Sequence, residues 1–211
     1  MERPVVYTIG HSTHPIETFL DLLKEYSINC LIDVRSIAAS RYNPQYNKEP
    51  LSNFLRSNCI GYLHLSEEFG ARQTDAGVLD DDGKVDFALV RKSQQFMNGI
   101  KHIHEGINNG NRMALMCSEA EPLDCHRFSM IAIALEQDGF NVKHILKNKT
   151  LQDNHELEKL LLKKYAKKIP VPDIFHPDIT SEDQLKVAYA LRNKDIAFMP
   201  YAKQRQEESY D

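Results

Sequence analysis

Five short apolar runs, each followed by a helical pattern, constrain this chain more than any other feature: Val5 to Ile9, Cys30 to Val34, Tyr62 to Leu65, Met113 to Met116 and Val142 to Leu146. Runs this short and this nearly unbroken are the signature of strands buried on both faces. Between them, Ile16, Phe19, Leu20, Leu23 and Tyr26 behind Pro15 follow the spacing of one helix face. Phe96, Ile100, Ile103 and Ile107 do the same, as do Phe128, Ile131, Ala132 and Leu135 ahead of Gly139, and Leu157, Leu160, Leu161 and Tyr165. Pro50, Phe54 and Leu55 mark a shorter helix. Strands alternating with helices predict an α/β fold: a mostly parallel open sheet of about five strands, covered by helices on both faces, with a C-terminal helical extension.

The 211 residues, 42% of them hydrophobic, suffice for one well-filled core. The chain divides at Tyr165. Residues 1–165 carry the α/β pattern, while in 166–211 Pro170, Pro172 and Pro177 space an extended connector. Ser181 with Gln184 three positions on reads as a capping box opening a last helix with Leu185, Ala188 and Tyr189. Three roles for this extension stay open: wrapping the domain, pairing with a second copy as a homo-oligomer, or binding a partner. The polar stretch from Ser66 to Lys84, with a turn at Asp82-Gly83, reads as a loop over a site.

A formal net charge of -4 excludes the bulk basic character of a nonspecific DNA binder, so nucleic acid is compatible through a local cleft but not implied. The start runs from Met1 into a strand pattern without a long apolar signal region, and Phe128 to Leu135 is too short to cross a bilayer. The expectation is a cytoplasmic protein with no membrane contact. Four cysteines are too few and too uneven for a secreted disulfide framework. Cys30 and Cys59 read as small core hydrophobes. The run Asp80-Asp81-Asp82-Gly83 lacks full calcium-loop spacing and reads as solvated.

Four polar motifs each follow a strand pattern: Thr8-Ile9-Gly10-His11-Ser12, Asp33-Val34-Arg35-Ser36, His64 through Arg72, and Cys117-Ser118-Glu119. In a parallel sheet all four ends share one edge, where open α/β sheets keep their ligands. Gly10 permits a turn or a close approach, and Ser12 precedes a helix whose amides suit an anion. Arg35, Arg41, Arg72 and Arg127 would add guanidinium forks for phosphate or carboxylate. The expected ligand is therefore an anionic small molecule or a nucleotide-like one. Against this, Asp33 and Arg35 also fit a structural ion pair, His11 and Ser12 a helix cap, and Asp124 a cap for a helix beginning at Cys125. Tyr42, Tyr46 and Tyr62 fit either stacking on a base or ordinary packing.

After seven intervening residues Cys117 is followed by Cys125-His126-Arg127, at the head of an apolar helix pattern. A thiol at a helix N-terminus beside His126 and Arg127 favours its thiolate, which makes Cys125 the first candidate nucleophile and Cys117 nearly its equal. Glu119, with His11 or His126, would serve as general acid or base. Zinc held by Cys117, Cys125 and His126 with Glu119 or His11 competes with this reading. No compact CxxC pair supports a metal, so none is expected at first sight and the cofactor is left open. A disulfide or purely structural role is the third alternative. Walker A, G-x-G-x-x-G and G-x-S-x-G sequences are absent, and Leu123 stands where a C-x5-R phosphate loop requires arginine.

At these residues the chain resembles the bacterial and archaeal family called domain of unknown function 488. The resemblance is carried by Thr8 to Ser12, by Asp33 to Arg35 with Ser40-Arg41-Tyr42-Asn43-Pro44, by Tyr62 to Arg72, and by Met116-Cys117-Ser118-Glu119 through Cys125-His126-Arg127, over roughly residues 4 to 165. Ala38 stands where that pattern usually has proline, and Gly70-Ala71 where two glycines are common. The resemblance implies an α/β domain and supplies no substrate or catalytic residue. From the residues themselves, the leading expectation is a cysteine-dependent transferase or hydrolase acting on a phosphate-bearing substrate. Its alternative is a noncatalytic anion- or metal-binding module.

Overall fold

The computed structural model describes residues 3–200. In chain order the elements are β1 (Val5–Gly10), α1 (Ile16–Glu25), β2 (Cys30–Asp33), α2 (Lys48–Ser57), β3 (Gly61–His64), α3 (Ser66–Phe69), α4 (Phe87–Val90) and α5 (Gln94–Asn108). Then follow β4 (Met113–Cys117), a π-helical stretch (Arg127–Ala132) running into α6 (Ile133–Gln137), β5 (Asn141–Ile145), β6 (Leu151–Asp153), α7 (Asn154–Lys164) and α8 (Ser181–Ile196).

The sheet order is β3-β2-β4-β1-β5-β6, parallel throughout except where β6 runs antiparallel to β5. Every residue of β4 is buried, as its unbroken apolar sequence demands of a central strand. Its alternate residues feed two cores. Ala114 and Met116 pack with Tyr7, Ile9 and Leu31 against Phe19 and Leu23 of α1 and Leu51 and Leu55 of α2. Met113, Leu115 and Cys117 face the other way, with Val6 and Ile32, against Phe96 and Ile103 of α5 and Met130, Ile131 and Leu135. Adjacent β1 and β4 therefore send their following helices to opposite faces of the sheet, which opens a crevice at their C-terminal ends.

A third cluster joins the C-terminal extension to the domain, with Phe128, Leu157, Leu161, Tyr165, Ala188 and Tyr189 buried together. Arg192 and Asn193 of α8 are buried as well. Asn193 accepts from the amide of Phe87 and donates to the carbonyl of Val85, which pins α8 over the segment entering α4.

Several local expectations change. The sheet gains a sixth strand, β6, whose three residues carry no apolar run and which pairs only because the Leu146 to Thr150 turn folds it back on β5. The stretch Ser66 to Lys84 contains α3 and a 3-10 turn at Ala76–Val78. The cap of α8 is Thr180 with Asp183, one residue before the expected pair. Pro15 precedes α1 and no side chain caps it, so His11 and Ser12 have other work. Cys59 is exposed, at φ 59° in the turn after α2, whereas Cys30 packs against the core as expected.

Candidate metal centre

Cys117 ends β4 with its sulfur on the α5 side of the sheet. The chain then leaves through Glu119, turns at the 3-10 segment Pro122–Asp124, and returns with Cys125 and His126. The folded-back loop brings four donor atoms together. Glu119 Oε2 lies 2.7 Å from the Cys117 sulfur and 3.1 Å from that of Cys125. His126 Nδ1 lies 3.7 Å and 3.8 Å from the same two sulfurs. All four donors lie within 4.8 Å of one another.

The imidazole is oriented from behind. His126 Nε2 sits 3.1 Å from the carbonyl of Val34, just past the end of β2. A carbonyl can only accept, so Nε2 carries a proton and the ring presents Nδ1 to the sulfurs. Burial lowers the pKa of this imidazole, but the neighbouring Cys125 and Glu119 outweigh it and raise it, so Nδ1 offers its lone pair to a metal by giving up a proton. Cys117, Cys125 and His126 are buried, and Glu119 is exposed at the mouth.

Arg127, wholly buried, secures the loop. It donates to the carbonyls of Glu119 (2.6 Å) and Ala120 (2.9 Å), and its Nε has no hydrogen-bond partner among the described residues. Gly10 lies beside Cys117 in the ladder, and a Cβ there would fall 1.9 Å from the Glu119 carbonyl oxygen. The amides of His11 and Ser12 extend the ladder to the carbonyls of Cys117 and Ser118, both at 2.9 Å. The glycine thus serves a close approach by the protein's own loop.

Electrostatically the two cysteines diverge. Burial, with Cys125 and Glu119 alongside, pushes the Cys117 thiol well above its ordinary range. Burial also opposes ionisation of Cys125, but the hydrogen bond from Cys117 and the charges of Arg127 and His126 outweigh it and hold this thiol well below. Glu119 is exposed as a residue, but its carboxyl end lies against the two sulfurs, and this local loss of water raises its pKa, as does the neighbouring Cys125. Two thiolate-forming groups, a lone-pair nitrogen and a carboxylate oxygen make a donor set of the kind that suits zinc.

A second network stands beside the first. Asp33 accepts from Arg35 Nε (2.9 Å), Arg35 Nη2 (2.6 Å) and the Tyr62 hydroxyl (2.7 Å). Arg35 also donates to the Tyr46 carbonyl at 2.7 Å, and its remaining Nη1 meets His11 Nε2 at 3.2 Å. His11 stacks on Tyr46 with ring centroids 4.2 Å apart, and burial lowers its pKa to about 4. Asp33 and Arg35 therefore form the buried ion pair that their two-residue spacing allowed. The guanidiniums of Arg35 and Arg127 both spend donors on protein acceptors. Arg41 and Arg72 are exposed, and the Arg72 amide bonds Ser36 Oγ at 2.9 Å while its guanidinium lies over Phe198. Tyr46 is core, whereas Tyr42 stands almost fully in solvent.

Sequence reasoning missed the Val34 carbonyl, since any residue type supplies one, and it misassigned Asp124. That carboxylate caps no helix, because Arg192 of α8 takes it at 2.6 Å while donating to the Leu123 carbonyl at 2.7 Å. Arg192 thereby ties α8 to the loop carrying Cys125.

Fold and cluster together define an open α/β protein with a buried Cys-Cys-His group and an exposed carboxylate at a sheet switch point. The chain belongs to the family described as "Domain of unknown function DUF488", whose model matches residues 15–134, a span containing all four donors. No curated protein and no solved structure matches it. Among the described residues no helix is long and apolar enough to cross a membrane.

Proposed function

We propose that this protein holds one divalent transition metal, zinc by its donor set, through Cys117, Cys125 and His126, and uses the site for hydrolysis or group transfer on an anionic substrate. The observation that carries the reading is the orientation of His126, with Nδ1 toward both sulfurs and Nε2 committed to the Val34 carbonyl. Metal-bound histidines are held in this way by a backbone acceptor on the far nitrogen. Charge supports it too. Two thiolates, one carboxylate and one divalent cation sum to a single negative charge, which the buried Arg127 guanidinium balances.

A bound metal would supply Lewis acidity toward a substrate oxygen. Glu119, the one exposed member, is the donor that can yield its place and then accept or return a proton. Arg41 and Arg72, exposed in the loops that follow β2 and β3, are the cations offered to an anionic substrate.

The depressed thiol of Cys125 favours a second reading, a cysteine nucleophile. Against it, Cys125 is only 1% exposed and Cys117 3%, so a substrate atom reaches neither without the loop opening. Elemental analysis of protein purified without chelator separates the two. The metal reading expects about one zinc per chain, lost in Cys117→Ser and Cys125→Ser. Protein that neither retains nor takes up zinc or cobalt, but whose Cys125 is alkylated rapidly near neutral pH, overturns it in favour of the nucleophile.

A further inference from the structure

A cleft away from the sheet edge lies under α8. Its volume is about 340 Å³, within the range of small-molecule sites, and Phe87, Ile133, Leu185 and Tyr189 give it apolar walls. Charged groups also line it, but most are already engaged. Asp86 accepts the amides of Ala88 and Leu89, Glu136 pairs with Arg3 and accepts the Val142 amide, Glu158 accepts from Tyr189, and Glu182 pairs with Lys186.

Arg91 is the exception. The one hydrogen bond its side chain makes among the described residues goes from Nη1 to the Ser129 carbonyl at 3.4 Å, beyond the usual length for such a bond. This half-buried guanidinium has given up part of its water without gaining a carboxylate within ion-pair distance among the described residues, and burial lowers its pKa, with Asp86 acting against that. A planar fork in this setting matches a carboxylate in a bidentate pair.

We infer that the cleft under α8 is a binding site for a small monocarboxylate with a compact apolar body, its carboxylate on Arg91 and its body between Phe87, Ile133 and Leu185. A dianion is disfavoured, because Lys186 is paired with Glu182 and Arg91 is then the cation left among the carboxylates of Asp86, Glu136 and Glu158. The site is independent of the proposed metal, though its wall shares the π-helical stretch that follows His126, and Ser129 Oγ donates back to the Cys125 carbonyl at 3.3 Å.

Phenylacetate is a suitable probe for the full chain, with uncharged 2-phenylethanol as its control and metal content read on the same samples. Calorimetric titration should show saturable phenylacetate binding at millimolar or lower concentration, at least tenfold tighter than 2-phenylethanol. Arg91→Ala should weaken it at least tenfold without changing metal content. Leu185→Trp, which fills the cleft and leaves Arg91 in place, should abolish it, and this variant decides the matter if Arg91→Ala does not fold. No saturable binding, equal affinity for the alcohol, or undiminished binding by either variant overturns the inference.

Discussion

His126 Nε2 and the Val34 carbonyl, 3.1 Å apart, join the cysteine loop to the end of β2. β2 and β4 are neighbours in the sheet, so this bond crosses between adjacent parallel strands just beyond their paired residues. It fixes the ring's orientation and sets Nδ1 against two sulfurs from different ends of the loop.

The closest packing at the site is that of Gly10 against the Glu119 carbonyl. Gly10→Ala places a methyl carbon 1.9 Å from that oxygen, and backbone on both sides must move. The expected outcome is a stability loss of about 1–3 kcal/mol, the usual scale of overpacking, together with at least tenfold weaker metal retention. Urea unfolding and competition with a colorimetric chelator measure the two effects. An alanine variant with unchanged zinc affinity would disprove the coupling of β1 to the loop.

Arg192 reaches the same loop from α8. Removing it in Arg192→Ala leaves the Leu123 carbonyl and Asp124 without the donors at 2.7 and 2.6 Å. A loss of about 1–3 kcal/mol follows from the unpaired partners, and faster metal release from the loosened turn. Stopped-flow chelation checks the latter; identical release rates would mean that α8 only packs.

Tyr62 gives a contrasting expectation. Its hydroxyl donates to Asp33 within the Arg35 network and touches no metal donor. Tyr62→Phe should cost about 1.5–3 kcal/mol, the scale of a lost hydrogen bond to a charged acceptor, and leave metal content intact. Loss of metal in this variant would show that the two networks act as one.

Acid should destabilise the fold through histidines held neutral. His144 is fully buried between the Thr8 hydroxyl at 2.7 Å and Asn154 Oδ1 at 3.2 Å, and burial lowers its pKa from 6.5 to about 3. His11 moves the same way, to about 4. Below 6.5 the unfolded chain binds protons that the folded chain refuses, so stability is full above that value and falls as pH drops toward the folded pKa. For His144 the loss between neutrality and about pH 5 amounts to about 2 kcal/mol. Urea midpoints at the two pH values test this, and His144→Gln should flatten the slope. Equal midpoints for the native chain would refute it.

Much of the fold was legible because β4 and β1 are continuously apolar, and the stripes Phe19, Leu20, Leu23 and Phe96, Ile100, Ile103 have helical spacing. β6 was not legible, since Leu151-Gln152-Asp153 is short and poorly buried and owes its pairing to a turn. α3 and α4, four residues each, are too short for periodicity to register. At the site, motif position after each strand placed Cys117, Glu119, Cys125 and His126 at one edge. Their closure into a donor set depends on the 3-10 turn at Pro122–Asp124, which no ligand spacing announces. Asp124 and Arg192 meet across 68 positions, so local capping rules had no means of seeing that pair.

Zinc K-edge X-ray absorption on protein purified without chelator reads the ligands of any bound metal at this cluster. Two sulfur scatterers at about 2.3 Å and two nitrogen or oxygen scatterers at about 2.0–2.2 Å are expected. Cys125→Ser should leave at most one sulfur. A shell made wholly of nitrogen and oxygen, or a protein that takes up no metal at all, would contradict it.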